Sequence, residues 1–235
     1  MNTSKQTARM VGVLFITATV ASIIATFGFL DPILNAPNYL ISVSANETQW
    51  ITGILIDAIN SAAVIAIAVM LFPILKKYSE ALALGYIASR IIESVILIVG
   101  HISQLSLLTL SQEYVQAGAP DDSYFQISGT LLLGVYEWTW LLGPTIVLGL
   151  TALILNYILY QSRLVPRFLS VWGLIGAMGI LAAGLLGMFG VIGAKSTIFF
   201  LLGAPIALNE MVFAVWLIVK GFNSSAIASA SAKQL

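Results

Sequence analysis

Cysteine is absent from the 235 residues, histidine occurs once, and charged residues make up only 9% of the chain. Without cysteine there is no disulfide, no thiolate metal ligand and no thiol nucleophile. With His101 as the one imidazole, a site built from several histidines is excluded too, and no metal or cofactor is expected. Basic and acidic residues balance at ten each, and no basic tract of the kind that tracks a phosphate backbone is present, so nucleic acid is not a partner. A Gly-x-Ser-x-Gly nucleophile elbow is also missing. What is there is 59% hydrophobic residues, and the charged fraction lies far below the ~25% of globular domains. The chain reads as an integral membrane protein, and the lipid bilayer is its first partner.

A bilayer crossing needs about 20 apolar residues as helix. Six stretches qualify, at about 10–30, 50–75, 82–110, 125–160, 168–192 and 198–219. The first is too long and lacks the small-x-small ending of a signal peptide, so it is read as an anchor. Asp31-Pro32 is expected to break that helix, and Asn35 to Asn38 to continue a loop that ends in a capping box at Ser44 to Glu47. The fourth stretch, as straight helix, would measure about 54 Å against a hydrocarbon core of about 30 Å, and it contains Gly143-Pro144. It is therefore either one long or kinked span or two short helices turning at the proline.

Charge decides between them. With six spans, one side of the membrane receives Lys5, Arg9, Lys76, Lys77, Arg163, Arg167, Lys220 and Lys233, and the other only Lys195. By the positive-inside rule both termini are then cytoplasmic. Splitting the fourth stretch would destroy that asymmetry. The expected fold is all-α: a polytopic bundle of six transmembrane helices in one domain, 1–235, multi-pass in the cell membrane.

Two smaller patterns bear on packing. The fifth span carries glycines at 173, 176, 179, 184, 187, 190 and 193, and Gly179, Ala183 and Gly187 are four apart. Small residues at that spacing let helix backbones approach, which suits either tight packing within the bundle or a homo-oligomer through this helix. A faint echo links Leu71 to Lys77, followed by Gly85-Tyr86-Ile87, with Leu155 to Gln161, followed by Gly173-Leu174-Ile175, as if one helical hairpin had been duplicated.

Ser89-Arg90-Ile91-Ile92-Glu93, the Pro166 to Gly173 entry to the fifth span, and Asn209-Glu210-Met211-Val212-Phe213-Ala214-Val215-Trp216 with the Leu217 to Phe222 close occur in that order. Together they resemble the bacterial membrane proteins grouped as domain of unknown function 4386. The resemblance runs over about residues 5–223. It implies a bacterial multi-spanning protein and no assigned activity.

Asp57, Glu93, Glu137 and Glu210 are the acids within the spans, and Arg90 is the only base there. A lipid-facing Arg or Glu would cost about 2.5 kcal/mol or more, so these groups face protein or water. Counted along the helices, Asp57 and His101 lie roughly 10 to 14 Å deep and Glu93, Glu137 and Glu210 near 18 Å, which gives two polar layers. Arg90 and Glu93 are one turn apart, and Arg90 and His101 share nearly one azimuth. If Glu137, Asn209 and Glu210 point to that face, they enclose a polar pocket opening outward, walled by Tyr136, Trp138 and Trp140. One Arg cannot neutralise four acids, so the rest are protonated, hydrated or bound to something. The expected function is binding or moving a small ligand, lipid or ion with proton coupling. The competing expectations are a metal-dependent hydrolase using the carboxylates with His101, and a structural subunit whose polar groups only fix helix register; a non-enzyme is favoured.

Overall fold

The computed structural model describes residues 3–120, 124–194 and 196–232, and these are helical with no strand among them. Six helices are long and apolar enough to cross a membrane: α1 (Ser4–Leu34), α3 (Glu47–Leu75), α4 (Glu80–Gln116), α5 (Tyr124–Ser162), α6 (Arg167–Met188) and α7 (Thr197–Val219). Two shorter helices complete the fold, α2 (Tyr39–Ala45) and α8 (Ser224–Ala232). The all-α membrane bundle and its six spans are as the sequence implies.

The fourth apolar stretch is one continuous helix of 39 residues, α5, rather than two. Around Gly143-Pro144 it widens into a π-helical segment, Leu142–Val147. Proline lacks an amide hydrogen and its ring presses on the carbonyl of the preceding turn; a wider turn relieves both without ending the helix. The same device overturns the expected break at Asp31-Pro32. A π-helical segment, Ile24–Leu30, leads into Asp31–Leu34, where Pro32 sits in the first turn and needs no amide hydrogen. The chain turns instead at residues 35–38, and Asn38 caps α2 by accepting from the Ile41 amide at 3.3 Å. The next helix does begin at Glu47, where the expected loop was to end, but α2 occupies most of that loop, and Asn46 turns its side chain back to donate to the Ser42 carbonyl at 2.8 Å, closing α2.

The chain packs as two compact units. Unit 1 comprises Met1–Ile16, Ala63–Ser94 and Leu141–Leu235. Its core is built on Phe15, Leu71, Tyr86, Ile158, Phe213 and Leu217, with Phe15 and Phe213 edge to face at 5.6 Å. Here the glycines of α6 have their use within the chain. A Cβ on Gly176 would lie 2.7 Å from the Ile206 amide nitrogen, and one on Gly179 would lie 2.6 Å from the Leu202 carbonyl, so α6 and α7 meet backbone to backbone. Gly173 likewise leaves room for the buried Asn156 side chain of α5.

Unit 2 comprises Thr17–Ala62 and Val95–Trp140. Its core is Leu40, Trp50, Ile54, Leu107, Tyr114 and Phe125. Trp50 is fully buried and donates its indole N–H to the Gln104 carbonyl at 3.0 Å, tying α3 to α4. Large apolar side chains such as Ile127 (76% exposed) and Leu201 (67%) cover outward faces, which suits hydrocarbon and not water.

Candidate functional site

Tyr86, Arg90 and Glu93 fall at i, i+4 and i+7 on α4, so the helix presents them on one face. All three are buried, Arg90 at 2% exposure and Glu93 at 3%. Nη1 of Arg90 donates to both Glu93 oxygens, at 3.0 and 3.2 Å. Its Nε donates to the Tyr86 hydroxyl at 3.4 Å, and the guanidinium carbon lies 5.6 Å from the Tyr86 ring centre. The third nitrogen, Nη2, faces Glu210 of α7, with 3.6 Å to Oε1. That distance is Coulombic contact rather than a hydrogen bond. The Glu210 side chain is also the open edge of the cluster, 20% exposed against 2% for Arg90.

One guanidinium thus serves two carboxylates. With both ionised the cluster carries a surplus negative charge where burial makes uncompensated charge costly. A proton or a small cation removes the surplus.

A second pair lies in unit 2. His101 Nε2 and Asp57 Oδ2 are 2.9 Å apart. The other Asp57 oxygen is buried without a hydrogen-bond partner among the described residues, as are both ends of the Gln104 amide and the Tyr39 hydroxyl. Burying such atoms unpaired costs free energy, so water or a polar ligand is expected at them.

A family model described as a domain of unknown function, DUF4386, matches residues 10–221. The chain belongs to this family. No curated protein and no solved structure matches it.

The DUF4386 match takes in both clusters, and the structure sorts the candidate residues between them. Arg90, Glu93 and Glu210 come together, and Asp57 meets His101. Two others are placed differently from the expectation. Asn209 does not turn to α4; it donates to the Leu169 carbonyl of α6 at 2.9 Å. Adjacent helical residues point about 100° apart, so Glu210 and Asn209 cannot serve the same neighbour. Glu137 is exposed on α5, and Trp138 beside it is 51% exposed, so neither lines a buried pocket. The three nitrogens of Arg90 are already committed to Tyr86, Glu93 and Glu210.

The metal-hydrolase reading gains nothing here, since no group of three or more His, Asp or Glu ligands is assembled among the described residues. Sequence reasoning missed Tyr86, although its i−4 spacing to Arg90 was a usable signal. It also missed Gln104, one turn beyond His101 on α4.

Proposed function

We propose that this DUF4386 chain is an intramembrane proton-binding protein in which Arg90, Glu93 and Glu210 form the titrating core. The observation that carries the reading is one buried guanidinium set against two carboxylates, Glu93 at 3.0 Å and Glu210 at 3.6 Å. Glu93 holds Arg90 in a two-oxygen grip and stays ionised. Glu210, more weakly held and partly open, takes and releases the proton. Tyr86 fixes the Nε edge of the guanidinium, so that Nη2 keeps facing Glu210 whether or not the carboxyl is charged. Such a site couples proton uptake to the binding or movement of a small ligand or ion. Both termini lie in the cytoplasm in this reading, following the bias of Lys and Arg along the chain.

The test is difference infrared spectroscopy on protein reconstituted in vesicles, titrated from neutral to acid pH. The wild type is expected to show a carboxylic-acid carbonyl band that Glu210→Gln removes and Glu93→Gln shifts. A titrating band unchanged in both variants would refute the assignment. A spectrum with no protonating carboxyl, together with variants altered in melting temperature alone, would favour a purely structural role.

A further inference from the structure

Three clefts in unit 1 follow one another by shared residues. The first, about 410 Å³, has apolar walls from Met211, Val212, Val215 and Val219 of α7, and ends at Trp216 and Lys220. Those two residues also line the second, about 380 Å³, with Arg163, Arg167 and Asn223. Arg163 and Asn223 in turn line the third, about 600 Å³, which is polar, with Lys77, Tyr78, Gln161 and Ser225. The sequence of environments is apolar, cationic, then hydroxyl- and amide-lined.

The middle cleft is held in shape by backbone. Asn223 donates its amide N–H to the Leu164 carbonyl at 2.9 Å and its side-chain N–H to the Arg163 carbonyl at 3.3 Å. Arg163 sits at φ +54° and Gly221 at φ +73°, the turns that bring the two segments together. Arg167 lies over the Tyr160 ring at 5.0 Å, and no described carboxylate pairs with Arg163, Arg167 or Lys220. The start of α6 opens at the same place, and helix N-termini favour anions. The polar cleft presents the exposed Gln161 and Ser225 side chains, while the Tyr78 hydroxyl is buried away from it.

We propose that the three clefts together bind one anionic glycerophospholipid with a polyol headgroup. One acyl chain lies along Val212, Val215 and Val219, the phosphate sits between Arg163, Arg167 and Lys220, and the headgroup hydroxyls meet Gln161 and Ser225. Charge complementarity selects this occupant: three unpaired cations beside an apolar groove fit a molecule that joins a phosphate to hydrocarbon. A free phosphate would leave the groove unfilled, and a neutral lipid would leave the cations unmatched.

Native mass spectrometry of the full chain, released from nanodiscs of equal phosphatidylglycerol and phosphatidylcholine, tests the site. With about fivefold from each of the three cations, the wild type is expected to retain phosphatidylglycerol over phosphatidylcholine by about 125-fold, and Arg167→Gln with Lys220→Gln to lower the preference about 25-fold, to about fivefold. Val215→Trp keeps every charge but fills the groove, and is expected to lose the lipid adduct. In nanodiscs that also hold phosphatidic acid, Gln161→Leu should reduce phosphatidylglycerol relative to phosphatidic acid by about fivefold, the worth of one hydrogen bond. Circular dichroism melts check that each variant is folded, and Val215→Trp and Gln161→Leu decide the matter if the charge variant is not. A wild-type preference near one, a preference unchanged in the folded variants, or displacement of the lipid by millimolar inorganic phosphate would each overturn the proposal.

Discussion

Replacing Glu93 and replacing Glu210 remove the same functional group from the same guanidinium, yet the geometry predicts unequal costs. Glu93 accepts two hydrogen bonds from Arg90 Nη1, at 3.0 and 3.2 Å, and is 3% exposed. Glu93→Gln takes away the close partner of a buried charge, a change worth about 3 kcal/mol or more. Glu210 then remains as the only described carboxylate beside Arg90, at 3.6 Å with one side chain in contact 20% exposed. Glu210→Gln breaks no close hydrogen bond and leaves Arg90 and Glu93 as a balanced pair, so the expected cost is about 1 kcal/mol or less. The assay is reversible unfolding in mixed micelles with increasing dodecyl sulfate, followed by far-ultraviolet circular dichroism, for both single variants. A Glu210→Gln cost equal to or greater than that of Glu93→Gln would refute the division of labour drawn from these distances. If the order holds, Glu210→Gln is also the variant in which loss of proton binding is least confounded by loss of fold.

Two further outcomes follow from close contacts elsewhere. Gly176→Leu is expected to destabilise by about 1–3 kcal/mol, because its side chain would enter the backbone of α7 at Ile206, and a melting temperature equal to wild type would contradict that approach of the helices. Asp57→Asn removes the carboxylate that lies 2.9 Å from His101 Nε2, and since the chain has one histidine, its ring nitrogen signals in selectively labelled protein are unambiguous. Those signals should change tautomer balance in the variant; identical spectra would mean the two side chains do not meet.

The six spans were legible because length and hydropathy act over twenty residues and no local irregularity can hide them. Gly143-Pro144 and Asp31-Pro32 were harder. A proline in sequence signals a missing hydrogen bond, but whether the helix stops or merely widens depends on the neighbours that hold it, and here it widens twice. Arg90 and Glu93 could be placed together from spacing on one helix, whereas the match to Glu210 needs the position of α7 beside α4. Glu137 shows the limit of the argument from cost: its depth along the helix suggested an inward side chain, and the structure exposes it. Asn209 shows another, since neighbours in sequence on a helix face different partners.

The distribution of charge between the units connects the sites. Every described Lys and Arg lies in unit 1: Lys5, Arg9, Lys76, Lys77, Arg90, Arg163, Arg167 and Lys220. Only Glu80, Glu93 and Glu210 answer them there, and two of those three are spent on Arg90. Glu80 is the one described acid of that unit left over, and no described carboxylate pairs with Arg163, Arg167 or Lys220, the cations around which the proposed lipid site is built. Unit 2 is the reverse case. Asp31, Glu47, Asp57, Glu113 and Glu137 lie in it and no Lys or Arg does among the described residues, so His101 is the one side chain near Asp57 able to carry a positive charge. Acid and base are thus matched unequally in the two units: unit 1 carries more cations than carboxylates, and in unit 2 the single histidine is the side chain that meets Asp57, at 2.9 Å.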